Sequence, residues 1–307
     1  MDITQYYLRM SGQTIAMNKI KILLTEGDSW TAGDIIDPKL EKQGITNIDH
    51  RDNDAYRLPK VWPHKLSKLI NVKSHNTAHA GSSNDGIEKR VIGNVGNLLK
   101  EYKPEDIFVI VGWSSPERKD FYYNDDTNDE TGRWETLYPA QLTDPDIEKG
   151  FDEFAKSYAT YFWNKSEYIM RYMVQNINIH TYLLANNIKH VFFDAFYETL
   201  EASEDRDRHG ILDSVDLIDI IKKYDAGSSN KYEDSIKSQY LKLYETNFIK
   251  TTFKQFIDTR ISNEMYKVED VFHDMHPTEL SHQKWANYLG LYLNGQIIND
   301  QVNVTLI

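Results

Sequence analysis

At 307 residues the chain is long enough to bury a sizeable core, as one large domain with insertions or as one and a half. Asp plus Glu (47) outnumber Lys plus Arg (35), a formal charge of −12 that repels phosphate backbones and anionic lipid heads, so neither nucleic acid nor membrane is an expected partner. There is no cysteine, which excludes disulfides, thiolate-bound zinc and thiolate-bound iron–sulfur clusters.

The start, MDITQYYLRMSGQTIAMNK, has neither the basic opening nor the apolar run of a secretory leader, and no stretch approaches the ~18 apolar residues of a membrane span. The expectation is a soluble, cytoplasmic protein. The first apolar run, Ile20–Thr25, is short and leads into Gly27-Asp28-Ser29-Trp30, and it reads as a buried strand. The Gly-Asp-Ser segment is either an ordinary turn or a strand end that delivers a hydroxyl to the rim of a sheet. A weaker strand is predicted near Leu69–Val72, with Asn76-Thr77-Ala78-His79-Ala80-Gly81-Ser82-Ser83-Asn84 after it. Ile87, Val91, Val95 and Leu98 then recur at helical spacing behind the cap-type residues Ser82, Ser83 and Asn84.

A third strand is predicted at Ile107–Val111, with Gly112-Trp113-Ser114-Ser115 after it. The polar, aromatic stretch 115–146 reads as a long lid or binding loop, crowded with Trp113, Phe121, Tyr122, Tyr123, Trp134 and Tyr138. Residues 151–187 have helical composition with one break. A fourth strand is predicted at His190–Phe193, a charged surface excursion at 198–231, a helix over 232–256 and a closing helix over 278–293. Strands alternating with helices imply a parallel sheet covered on both faces, with ligands bound outside the carboxyl ends of the strands. The chain is read as one domain with insertions at about 115–146 and 198–231.

Near the end stands Phe272-His273-Asp274-Met275-His276-Pro277. A His before Pro and a helix start is an imidazole pinned on a loop. A serine hydroxyl is a poor nucleophile until such a base takes its proton, and a carboxylate beside the base fixes its tautomer.

Carrying Gly27-Asp28-Ser29, Gly81, Gly112-Trp113-Ser114 and His276-Pro277 in that order, the chain resembles the GDSL/SGNH hydrolases, a class of serine esterases and lipases. That resemblance implies a three-layer flavodoxin-like α/β fold. It makes Ser29 the nucleophile and His276 the base, and places Gly81 and Ser114 in the oxyanion hole. Two positions depart from the family pattern: Ser114 stands where the family has Asn, and the acid three residues before His276 is replaced by His273. Asp274, one residue late, is the expected acid, and Asp270, three before His273, is the second register; a backbone carbonyl that orients the imidazole and a Ser–His dyad are the alternatives. Trp30, Trp113 and Arg118 are the expected substrate contacts. The function implied is ester hydrolysis by Ser–His acyl transfer on a small-molecule or carbohydrate ester, with an O-acetyl carbohydrate foremost, and with no cofactor and no metal. The rival readings are a catalytically weakened carbohydrate-binding protein on the same fold and a metal-dependent phosphoesterase built on the His-rich block.

Overall fold

The computed structural model describes residues 7–10, 13–16, 19–33, 54–123, 133–137, 151–197, 217–225, 231–273 and 276–295. In chain order these form a hairpin of β1 (Tyr7–Met10) and β2 (Gln13–Ala16), then β3 (Ile22–Glu26) and the short helix α1 (Ser29–Ala32). Next come α2 (Asp54–Arg57), α3 (Trp62–Leu69), β4 (Lys73–Asn76), α4 (Asn84–Leu98) and β5 (Ile107–Trp113). The hairpin β6 (Lys119–Tyr123) and β7 (Arg133–Leu137) precedes α5 (Phe151–Tyr161), α6 (Lys165–Ala185) and β8 (Lys189–Asp194). The chain continues through α7 (Leu217–Lys223), α8 (Lys231–Asn247), α9 (Phe253–Ser262) and α10 (Val268–Val271). It closes with the two-residue strands β9 (Phe272–His273) and β10 (His276–Pro277) and with α11 (Glu279–Leu293).

Four strands, β4-β3-β5-β8, pair in parallel, with Ile22 opposite both Lys73 and Ile107, and Phe108 opposite Lys189. Alternate residues of each strand feed opposite cores, as the two-residue side-chain period requires. Leu23, Phe108, Ile110, Val191 and Phe193 pack against α3, α9 and α11. Ile22, Leu24, Val109 and Val111 pack against α4, α6 and α8. The result is a three-layer α/β fold. Because both faces are covered, β3 and β5 are buried along their whole length, which is why they read as unbroken apolar runs.

The predicted strand at Leu69–Val72 is displaced. Leu69 ends α3, and the strand is Lys73–Asn76, a polar strand that, among the described residues, pairs with β3 alone and forms the sheet's edge. An edge strand is covered less completely, so it carries no apolar run for the sequence to reveal. The stretch 115–146 contains the β6–β7 hairpin, whose inner face, Phe121 and Leu137, packs on Tyr158 and Ala155 of α5. The helix expected over 232–256 is two: α8 stops at Asn247, Phe248 bridges to Phe192 of β8, and α9 restarts behind a capping box of Thr252 and Gln255. Part of the expected surface excursion is packed, since α7 buries Leu217, Ile218 and Ile221.

Helix α4 begins where its cap residues indicate. The Ser83 hydroxyl accepts the Gly86 N–H at 3.1 Å and also donates to Asp120 of β6. Ser83→Ala is expected to lower stability by about 1–2 kcal/mol, read as a shift of the urea midpoint at unchanged slope.

Candidate active site

Chain connections leave β3 toward α3 on one face of the sheet and leave β5 toward α6 on the other. The crevice between the carboxyl ends of β3 and β5 is therefore the topological switch point, where ligands bind in open α/β sheets. Residues Gly27–Ser29 lie just beyond β3 here, and Ser114 just beyond β5.

The turn after β3 is tight enough to require glycine through packing. A Cβ on Gly27 would lie 2.4 Å from Thr31 Oγ1 and 2.9 Å from the Gly112 carbonyl, so the two strand ends approach backbone to backbone. Asp28 caps α1, its Oδ1 accepting the Trp30 N–H at 3.0 Å. Ser29 is the first residue of α1 and keeps 5% of its surface exposed. Neither its hydroxyl nor its N–H has a hydrogen-bond partner among the described residues.

Gly81 sits in the loop after β4 with φ +72°, a left-handed conformation that suits glycine. Its N–H likewise has no partner among the described residues. The loop is knitted to the end of β3 by Thr77 N–H to Thr25 O (3.0 Å) and His79 N–H to Gly27 O (3.2 Å). Arg90 of α4 reinforces this join, donating from Nε to Glu26 Oε1 (2.8 Å) and from Nη2 to Ser82 Oγ (2.7 Å). Glu26 also accepts from the Gly27 N–H (3.2 Å) and the Thr77 hydroxyl (2.7 Å). Burial pushes the Glu26 carboxyl up to about 7 despite Arg90 beside it.

Ser114 is held through its backbone: its N–H donates to Asn84 Oδ1 and its carbonyl accepts from Asn84 Nδ2, both at 2.9 Å. Its hydroxyl is buried and faces the Asp28 carboxyl without closing a hydrogen bond. Burial raises the Asp28 carboxyl, while Arg118, with Nη1 3.9 Å from Asp28 Oδ2, acts in the opposite direction. The Arg118 guanidinium also lies over the Phe196 ring, 5.0 Å from its centroid.

His276 lies on β10, paired with His273 of β9. Strand β10 packs against α1, and the His276 charge acts on Asp28, so the early hydroxyl and the late imidazole are carried to the same corner of the sheet. No hydrogen bond joins Ser29 to His276 among the described residues, and such bonds are often open in unliganded enzymes. Asp274 lies outside the described residues. Asp270 is exposed, with its carboxylate accepting the Lys267 N–H at 3.1 Å as a cap of α10.

Two expected substrate contacts are corrected. Trp113 is fully buried between Tyr172 and Phe192, and Trp30 packs against Phe196, Phe253 and Phe272. Both adjoin chemistry-bearing residues in sequence, but strand and helix periodicity turn their rings into the cores. In the aromatic hairpin, Tyr122 and Trp134 are exposed and meet edge to face at 5.4 Å, with Lys89 Nζ 3.4 Å above the Trp134 ring.

Sequence reasoning missed Glu26, Asn84 and Arg90. The only hint was Glu26, a charge at the end of an otherwise apolar run. Among the described residues no three metal-binding side chains converge, and no helix is long and apolar enough to cross a membrane.

In outline the chain is similar to several solved structures. One is a member of the lipolytic protein G-D-S-L family from Veillonella parvula, with TM-score 0.43 and 10% identity over 90% of this chain and 100% of that one. Another is a GDSL-like lipase from Bacteroides thetaiotaomicron, with TM-score 0.41 and 11% identity over 94% of each chain. A third is a carbohydrate esterase, with TM-score 0.43 and 12% identity over 92% of this chain and 70% of that one. At these values the likenesses assign no residue a role. No curated protein matches the chain. A family model does match, over residues 46–237, a span that holds Gly81, Asn84, Arg90, Ser114 and Arg118 and leaves out Ser29 and His276. On that match the chain belongs to the Family of unknown function (DUF6071).

Proposed function

We propose that the protein is a serine ester hydrolase. The observation that carries the reading is the placement of Ser29 at the switch point, beside the strand that bears His276, with the N–H groups of Ser29 and Gly81, which have no partner among the described residues, in the adjoining loops. His276 takes the Ser29 proton as Oγ attacks the carbonyl carbon of an ester. The tetrahedral oxyanion is received by the N–H groups of Ser29 and Gly81. The alcohol leaves with the proton from His276, and water then releases the acyl group by the same steps in reverse. Asp274 is assigned to orient His276.

The third oxyanion donor differs from the family pattern. The Ser114 hydroxyl is directed at Asp28, so Arg118, held near the same carboxyl, is the better candidate for the extra positive charge. The substrate class we assign is an O-acyl carbohydrate, on the strength of the exposed Tyr122–Trp134 pair beside the helix that continues from the Gly81 loop.

The test is a fluorophosphonate probe with peptide mapping, alongside turnover of p-nitrophenyl acetate. The expected adduct is on Ser29. Labelling that persists in Ser29→Ala, or none at all in the wild type, rejects the reading. Activity abolished by a chelator points to the phosphoesterase alternative.

A further inference from the structure

Gly81 is the third residue of a turn over residues 79–82, closed by the Ser82 N–H on the His79 carbonyl at 3.3 Å. With φ +72° at that position, and no positive φ at Ala80, the turn is of type II. Its central peptide, between Ala80 and Gly81, makes no hydrogen bond inside the turn, which leaves the Gly81 N–H available to a ligand. The same feature is a weakness. A type I turn over the same four residues differs mainly by a half rotation of that peptide, and glycine accepts either sign of φ. The rotation would aim the N–H to the opposite side. A donor serves an oxyanion only if it is aimed in advance, so a turn used in this way has to be held against the flip.

The segment is held at its middle and at both ends. The His79 ring donates from Nδ1 to the Ala80 carbonyl at 2.9 Å, on the central peptide itself. At the start, the Thr77 hydroxyl donates to Glu26 Oε2 at 2.7 Å. At the far end, the Ser82 hydroxyl donates to the His79 carbonyl at 2.6 Å and accepts from Arg90 Nη2 at 2.7 Å. Arg90 Nε donates in turn to Glu26 Oε1 at 2.8 Å, and Nη2 also reaches the Gly27 carbonyl at 3.4 Å. One fully buried carboxylate therefore ties both ends of the segment to the end of β3, directly through Thr77 and by way of Arg90 to Ser82. Gly86, in the first turn of α4, keeps the path of the guanidinium clear, since a Cβ there would lie 3.2 Å from Arg90 Nη1.

We infer that Arg90 is a positioning residue for ester hydrolysis: clamped on Glu26, it holds Ser82 and so fixes the direction in which Gly81 presents its N–H to the oxyanion. The inference rests on the reading of Ser29 as the nucleophile and adds to it a residue that touches neither substrate nor nucleophile. A buried ion pair contributes little net stability compared with apolar side chains of the same volume, so its role here is to fix geometry. The planar guanidinium suits the task, because one side chain serves Glu26 through Nε and Ser82 through Nη2 at fixed separation.

The experiment compares Arg90→Met, Ser82→Ala and the double variant with the wild type in steady-state turnover of p-nitrophenyl acetate and in amide hydrogen exchange. Arg90→Met is expected to lower kcat about 10- to 100-fold with KM changed less than about twofold. Ser82→Ala cuts only the far bond and leaves the Glu26–Arg90 pair intact, so it decides the matter if Arg90→Met does not fold. It is expected to lower kcat in the same direction, and the double variant no further than Arg90→Met, because both changes break one linkage. In Arg90→Met the amides of residues 77–82 are expected to lose protection while those of β5 keep it. Unchanged kcat in Arg90→Met, a rise in KM alone, or additive losses in the double variant overturn the proposal. Exchange separates it from the reading it rests on. A wild type with no turnover rejects the hydrolase, whereas wild-type protection of residues 77–82 in Arg90→Met rejects the positioning role whatever the activity.

Discussion

Ser29→Ala is expected to lower kcat for p-nitrophenyl acetate by about 10⁴- to 10⁶-fold while leaving KM and the urea midpoint nearly unchanged. The hydroxyl bonds nothing among the described residues, so its removal strands no polar partner. The helix it begins is capped by Asp28, not by Ser29, and the cap survives the substitution. His276→Asn is expected to cost about as much, and the double variant no more than either single one, because nucleophile and base act as one unit. Arg118→Met separates the oxyanion assignment from the rest: a fall in kcat of about 10²-fold at constant KM supports a transition-state role. A rise in KM alone places Arg118 on the substrate instead. A Ser29→Ala protein that retains wild-type kcat leaves the switch point without a nucleophile and sends the search to another hydroxyl.

The parts of this site that were legible in the sequence are the parts built from local signals. Gly27 and Ser29 close an apolar run, and His276 is marked by the proline after it. What could not be read is what depends on tertiary approach. The Gly27–Gly112 contact joins two strand ends far apart in the chain, and nothing in either tripeptide announces that the two backbones touch. Asn84 looked like a helix cap, and it does stand at the helix start, but Ser83 is the cap and the Asn84 amide is spent on the Ser114 backbone. Trp30 and Trp113 misled for the opposite reason. Adjacency in sequence to a reactive residue says nothing about direction, because neighbours on a strand point to opposite faces. Trp113 turns into the core of α6 and α8, while Ser114 is pulled back toward Asp28. The edge strand β4 was misplaced because periodicity reports burial, and an edge strand is only half buried.

The second large effect concerns His282, on the buried face of α11. It is fully buried, and its Nδ1 accepts the Trp62 N–H at 3.2 Å, serving as the cap that Val61 cannot supply to α3. Burial, with the nearby charges of Lys65 and His276, pushes its pKa down to about 3. The unfolded chain therefore takes up a proton on this residue near pH 6.5, and the folded chain does so only near pH 3. Between those values the unfolded state binds more protons, so stability falls as the pH falls. By pH 4 the loss is about 3 kcal/mol, at about 1.4 kcal/mol per unit of separation. His190, pushed down to about 4 by burial, acts in the same direction; Glu26, raised to about 7, acts in the opposite one between about pH 4.5 and 7. In His282→Asn the amide oxygen can stand where Nδ1 stood and accept the Trp62 N–H, but nothing titrates. Urea unfolding of both proteins from pH 7 to pH 4 is expected to show the wild type losing about 3 kcal/mol more than the variant. Parallel curves would mean that the imidazole protonates in place and that the Trp62 N–H finds another acceptor.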